Sequence, residues 1–118
     1  MEIDLFAGVP VTDYPRAVAW MERLMGRPAD FVAHETECVW DLAEHRSVYV
    51  VKHPEHAGHS MVLLFFSDLA TVLAQIAARG LEPDHIEDYG RVRKAVFLDP
   101  DGNEIGLGGM SEDLSDEA

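Results

Sequence analysis

The sequence predicts an α+β fold made of two tandem βαβββ modules, and three observations lead to this prediction. A fixed offset of 55 positions relates Asp13 to Asp68 and Pro28 to Pro83, which indicates an internal repeat. An apolar strand-like run precedes each aspartate, and an amphipathic helix pattern follows it. Three short strand-like runs come after each helix, so the order of strand, helix and three strands occurs twice.

The first module begins with the apolar run 6–12. Asp13 is the predicted N-cap of the helix, and Pro15 lies in the first turn, where a missing N–H costs little. Gly26 and Pro28 are expected to end the helix. The apolar stripe of this helix consists of Ala17, Trp20, Met21 and Leu24. The three strands that follow are predicted at 31–34, 38–42 and 47–51.

The second module repeats this pattern from the apolar run 61–67. Asp68 is the predicted N-cap, and Gly80 and Pro83 are expected to end the helix. The apolar stripe is formed by Leu69, Val72, Leu73 and Ile76. Strands are predicted at 85–89, 93–98 and 104–107, with a tight turn over 99–103 between the last two.

The two modules are predicted to span 3–52 and 58–108 within a single domain, 1–110. A four-stranded sheet with one helix has an uncovered face, so pairing two such sheets, within the chain or across a dimer, would enclose a cleft. The linker, 53–59, contains Pro54 and Gly58, which disfavour a helix. Residues 111–118 are expected to be a solvated acidic tail, with acids at Glu112, Asp113, Asp116 and Glu117.

Composition excludes several partners. The formal net charge of -13 argues against nucleic acid, because phosphate contacts need a basic face. The same charge favours either a cationic ligand or simple solubility. No apolar stretch approaches the roughly 18 residues that a membrane helix needs, so no membrane partner is expected. The single cysteine, Cys38, cannot form an internal disulfide, which favours a reducing compartment and a cytoplasmic location.

The segment 97–105, FLDPDGNEI, is the most specific motif. Together with the two modules and their strand–Asp–helix openings, it resembles the vicinal oxygen chelate superfamily over roughly residues 3 to 108. That superfamily includes glyoxalase I, extradiol dioxygenases, fosfomycin-resistance transferases and bleomycin-binding proteins. The resemblance implies a glyoxalase/bleomycin-resistance-like fold with sheets curved around a cleft. It does not select one activity, because the fold supports many chemistries.

Metal-dependent members of this superfamily take their ligands from the first and last strands of each module. The resemblance places these positions at Phe6, Met61 and Gly106, with a fourth at Val51 or Tyr49. None of these residues supplies the imidazole or carboxylate that zinc or magnesium needs. We therefore predict no metal and no other cofactor.

Three linker histidines offer an alternative metal site. His53, His56 and His59 are spaced by three residues, a spacing that could chelate a metal on a helix. Because Pro54 and Gly58 argue against a helix there, we favour an exposed linker.

Period-two alternation predicts which side chains line the cleft. In the first strand, Phe6 and Gly8 share one face, and the other face, formed by Leu5, Ala7, Val9 and Val11, is expected to pack against the helix. The predicted ligand-binding residues are Phe6, Trp40, Tyr49, Met61, Glu104 and Gly106. Core packing is the alternative for the aromatic residues and Met61. Asp41 is either solvent-facing or a buried acid with a shifted pKa.

These observations favour metal-independent binding of a small organic molecule. Sequestration of an antibiotic of the bleomycin type is one form of this function. Stacking on aromatic side chains would supply much of the affinity. One alternative is a lyase, isomerase or dioxygenase-like enzyme with a non-standard site, or one that uses Asp41 or Glu104 for acid–base catalysis. Another is a structural dimer without a ligand. A homodimer is predicted, because the short linker places the modules edge to edge more easily than face to face.

Overall fold

The computed structural model describes residues 1–111, and the predicted acidic tail from Glu112 onward lies outside the described residues. The first module consists of β1 (Leu5–Val11), α1 (Tyr14–Met25), β2 (Phe31–His34), β3 (Glu37–Ala43) and β4 (Arg46–Lys52). The second consists of β5 (Met61–Phe65), α2 (Leu69–Ala78), β6 (His85–Asp88), β7 (Val92–Leu98) and β8 (Glu104–Met110).

Both modules have the same sheet topology. The strand orders are β1-β4-β3-β2 and β5-β8-β7-β6. In each sheet the first strand of the module is parallel to the last, and the other pairs are antiparallel. The prediction of an α+β fold with two βαβββ modules is confirmed.

The predicted helix caps are also present. Asp13 accepts a hydrogen bond from the backbone N–H of Arg16 at 3.2 Å, and Asp68 accepts one from Thr71 at the same distance. Each cap satisfies an N–H group that the first helical turn leaves without a partner. Gly26 follows α1 with φ of 80°, a left-handed conformation that glycine adopts without strain.

The helix-facing side of each sheet forms the core. In β1, Val9 and Val11 are fully buried, in agreement with the predicted alternation. Leu5 departs from it, because it is 65% exposed at the start of the strand, beyond the cover of α1. The linker also differs from expectation, since Pro54–His56 form one 3-10 turn. Proline is compatible with this first turn because its missing N–H is not needed there.

The modules lie side by side. At the helix ends, Arg23 Nε donates to the carbonyl of Arg79 at 3.1 Å and Arg23 Nη2 to that of Gly80 at 3.0 Å. Near the sheets, Ser60 Oγ donates to the carbonyl of Gly8 at 2.7 Å. The molecule is 23 Å deep along its shortest axis. Two helix-covered sheets stacked face to face would form four layers about 30 Å deep, so residues 1–111 leave one face of each sheet uncovered.

Neither helix of the described chain combines the length and apolar character that crossing a membrane requires.

Candidate ligand-binding faces

Each sheet has an open face on the side opposite its helix. On the open face of module 1, Phe6 opposes Ser47 and Gly8 opposes Tyr49. Phe6 is 49% exposed. The open face of module 2 carries three exposed apolar side chains on β5, namely Met61, Leu63 and Phe65. Two uncovered apolar surfaces are therefore available for a ligand or a partner.

Glycines allow long side chains to lie across these faces. A Cβ atom on Gly8 would lie 2.8 Å from Cζ of Tyr49, and one on Gly106 would lie 2.9 Å from Cδ of Lys94. Both distances are shorter than real Cβ contacts, so a larger residue would displace the side chain above it. The glycines thus allow Tyr49 and Lys94 to lie close against their sheets.

A polar cluster borders the open face of module 2. Glu87 accepts a hydrogen bond from the Tyr89 hydroxyl at 2.5 Å, and its other carboxylate oxygen lies 2.9 Å from His85 Nε2. Lys94 Nζ lies 3.2 Å from Glu87 and 3.8 Å from Glu104. The hydrogen bond from Tyr89, followed by those from His85 and Lys94, lowers the pKa of Glu87 to about 2. Glu87 therefore remains a carboxylate at neutral pH.

A second acidic region borders the open face of module 1. A recess of about 370 Å³ beside Phe6 is also lined by Asp4, Asp41 and Glu44. Ser47 Oγ donates to Asp41 Oδ1 at 2.7 Å, which orients that carboxylate. An aromatic ring with carboxylates around it attracts a cation through both its π-face and the surrounding charge.

A solved structure with close sequence similarity decides the family. A glyoxalase/bleomycin resistance protein from Catenulispora acidiphila DSM 44928 is 48% identical, with a TM-score of 0.89. The alignment covers 92% of this chain and 98% of that chain. The chain belongs to the glyoxalase/bleomycin resistance protein family. The resemblance to the vicinal oxygen chelate superfamily is thereby confirmed.

Two other structures of this fold bind antibiotics. The antibiotic-binding protein TnmS3 from Streptomyces sp. CB03234 is 25% identical over 93% of this chain and 97% of that chain, with a TM-score of 0.70. A bleomycin-binding protein complexed with bleomycin is 20% identical over 92% of this chain and 98% of that chain, with a TM-score of 0.67, and shows the shared fold alone. No protein-family model matches the chain, and no curated protein does.

In the structure of the present chain, five of the six predicted ligand-binding residues lie on the open faces. They are Phe6, Tyr49, Met61, Glu104 and Gly106. Their role in binding stays a prediction. The position of Trp40 differs from the predicted one on the ligand-binding face. Trp40 is fully buried in the helix-side core, and its Nε1 donates to the carbonyl of Arg27 at 3.0 Å. Its cross-strand partner is Val48, which also faces the helix, so Trp40 cannot line the open face.

Sequence reasoning missed several side chains on the open face of module 2. Leu63 and Phe65 share a face with Met61 by simple alternation, a signal that was available in the sequence. Glu87 and Lys94 reach this face through the β6–β7 register, in which they are direct partners. That register depends on the turn between the two strands, so spacing alone does not reveal the pair.

The residues at the inherited metal positions of the superfamily do not fit a metal. Phe6 and Met61 present a ring and a thioether, and Gly106 has no side chain. Within residues 1–111, no three His, Cys, Asp or Glu side chains are arranged to hold a metal ion. The acids considered for metal-free catalysis do not form a pair either, since Asp41 lies on β3 of one sheet and Glu104 on β8 of the other. Asp41 is exposed, as the solvent-facing interpretation predicted.

The polar cluster gives a testable pH dependence. Hydrogen bonds to Glu87 first and Asp84 second raise the pKa of His85 above its ordinary value of 6.5. The charged form of His85 thus stabilises the fold at pH values below its unfolded-state pKa. This contribution is lost as the pH rises through its higher folded-state pKa. In an NMR titration, Glu87→Gln is expected to lower the pKa of His85, whereas Glu82→Gln, outside the cluster, leaves it unchanged. An unaltered His85 titration in Glu87→Gln would contradict the assigned hydrogen bond.

Proposed function

We propose that this chain binds a small, planar, cationic organic molecule on its open faces, without a metal. The observation that carries the proposal is the exposure of Phe6, Met61, Leu63 and Phe65 on the open faces of the two sheets. Leaving such surfaces in water is costly, and aromatic side chains can stack on a planar ring. Carboxylates at both faces, Asp41 and Glu87 among them, would favour a positive charge.

Antibiotic sequestration is the form of this function that we propose. Binding alone removes an antibiotic from solution, so it needs no catalytic group. The family name and the similarity to the antibiotic-binding protein TnmS3 support this form. We also propose that residues 1–110 act as one domain, since one hydrophobic core contains residues of both modules.

We further propose that the ligand site is completed by a homodimer. The two open faces of one chain lie side by side, so neither covers the other. In a symmetric pair of chains, the open face of module 1 would face that of module 2 of the partner. Such an arrangement buries the exposed apolar side chains and encloses the ligand between two sheets.

Ligand binding is expected to depend on the open faces. Isothermal titration with bleomycin, and with proflavine as a planar cation, should show binding that Phe6→Ala and Leu63→Ala each weaken about tenfold, equivalent to about 1.4 kcal/mol for one lost apolar contact. Val32→Ala and Ile86→Ala are matched controls, because both residues are exposed and pair with buried, helix-facing residues. Equal losses in the controls, or no binding of either probe, would refute the proposed function.

The dimer is expected to dissociate when a charge is placed on the open face. Sedimentation at micromolar concentration should give twice the 13.1 kDa chain mass. Phe65→Glu should shift the equilibrium toward the monomer, because the new carboxylate would have to be buried. Val32→Glu introduces the same charge on the helix-facing side and should leave the dimer intact. A monomeric wild-type chain whose probe binding does not change on dilution would contradict a site shared between two chains.

A further inference from the structure

A cavity of about 980 Å³ lies between the two modules, on the side of the helices. Its walls include helix-facing residues of both modules, among them Ala7, Leu24, Val48, Val62, Leu64 and Ile76. The volume is within the range of about 300–1,000 Å³ that is typical of small-molecule sites. Phe6, Tyr49 and Met61 of the open faces do not line this cavity, whereas Leu63 and Phe65 contribute to both, so the two surfaces meet along β5.

The apolar part of the cavity includes residues of β1 and β5, each of which is an edge strand of its sheet. Val62 and Leu64 point toward the helix side and are only partly buried. Leu5 is exposed at the start of β1 and lines the same cavity. Its exposure, which departs from the predicted alternation, leaves an apolar wall that a hydrophobic ligand would cover.

The charge of the cavity is opposite to that of the chain. The chain contains 22 acidic residues and nine Lys or Arg, yet within residues 1–111 the cavity is lined by Arg27, Arg46 and Arg79 and by no Asp or Glu. Such a wall discriminates against cations and favours an anion.

One of these arginines is available to a ligand. Arg27 pairs with Asp30 at 2.7 Å, and Arg79 donates to the carbonyl of Leu24 at 2.9 Å. Arg46 makes no side-chain hydrogen bond or ion pair with any other residue in 1–111. A guanidinium group can bind a carboxylate through two parallel hydrogen bonds.

We propose that this inter-module cavity is a second ligand site, which takes an amphiphile with an apolar body and one carboxylate. The apolar body would lie between Val62, Leu64 and Ile76, and the carboxylate would pair with Arg46. The ligand class is opposite in charge to the one proposed for the open faces, so the two sites would select different ligands. A molecule bound here would contact both modules at once and hold their relative orientation.

Decanoate is the probe for this site, with 1-decanol as its uncharged counterpart. We expect decanoate to shift the backbone amide NMR signals of Ala7, Val62 and Gln75, and decanol to bind more weakly. Arg46→Gln should weaken decanoate binding about tenfold or more, the effect of losing a hydrogen bond to a charged group. Val72→Phe, which fills the cavity from α2, should weaken both probes.

Two controls separate this site from the open faces. Val32→Ala removes an exposed apolar group elsewhere and should leave decanoate binding unchanged. Arg46→Gln should retain binding of proflavine, so loss of one site is distinguishable from loss of the other. Absence of decanoate binding to the wild-type chain, wild-type affinity in Arg46→Gln, or signal shifts confined to the open faces would each overturn the proposal.

Discussion

Replacing Trp40 with alanine is expected to lower the free energy of unfolding by about 3–5 kcal/mol, the usual cost of deleting a large aromatic side chain from a core. Trp40 is fully buried between the first sheet and α1. Its indole N–H donates to the carbonyl of Arg27, which anchors the segment that follows the helix. Trp40→Phe should cost less, because it keeps most of the apolar volume while losing the hydrogen bond.

Urea denaturation of both variants measures these effects, and Val32→Ala is the control for removal of an exposed apolar side chain. If Trp40→Ala left stability unchanged and abolished binding of bleomycin or proflavine, Trp40 would be a ligand contact, as the sequence predicted. Wild-type binding by Trp40→Phe would instead support the core assignment.

The error at Trp40 has a physical origin in β3. Cys38, Val39 and Trp40 are consecutive apolar residues, and all three are buried. A run that is apolar on both faces carries no period-two signal, so alternation cannot decide which of its residues face the helix. The pairing of Trp40 with Val48 decides it, and that register exists only in the assembled sheet.

The same limit applies to β5 in the second module. Met61, Leu63 and Phe65 are exposed, whereas Val62 and Leu64 are partly buried on the helix side. The sequence of this strand is uniformly apolar, so the exposed face is defined by the position of α2 and the absence of a second layer. Leu63 and Phe65 could have been added to Met61 by alternation once one residue was placed.

Features encoded within a few residues could be predicted from the sequence. Asp13 and Asp68 cap their helices through side-chain contacts with residues three positions later, so the signal is local. The pairing of Lys94 with both Glu87 and Glu104 joins three strands and is non-local. The fold could therefore be predicted from the sequence, whereas the pairing of Lys94 with Glu87 and Glu104 depends on the register of the assembled sheet.

The turn motif that carried the family resemblance also has a structural role, centred on Asn103. This residue is fully buried, and its side-chain oxygen accepts hydrogen bonds from the backbone N–H groups of Gly58 and Ser60, each at 3.0 Å. Its Nδ2 donates to the carbonyl of Pro10 and to Asp99 Oδ2, both at 2.8 Å. One amide thus joins β1, the linker and the turn before β8.

Asn103→Ala is expected to lower the free energy of unfolding by about 3 kcal/mol or more, because each buried polar group left without a partner costs about 1–3 kcal/mol. Asn103→Asp should be destabilising in a different way. It would place a second carboxylate beside Asp99, whose pKa burial already raises. Two adjacent carboxylates raise the folded-state pKa of one of them, so the destabilisation is present at neutral pH and is relieved as pH falls.

Urea denaturation of Asn103→Ala, Asn103→Asp and wild type at neutral and acidic pH tests both expectations. Gln75→Ala is a matched control, since it removes an amide from the exposed side of α2. The difference between wild type and Asn103→Asp should shrink at acidic pH, whereas that between wild type and Asn103→Ala should change little. Wild-type stability of Asn103→Ala would show that the two modules are held together without this amide.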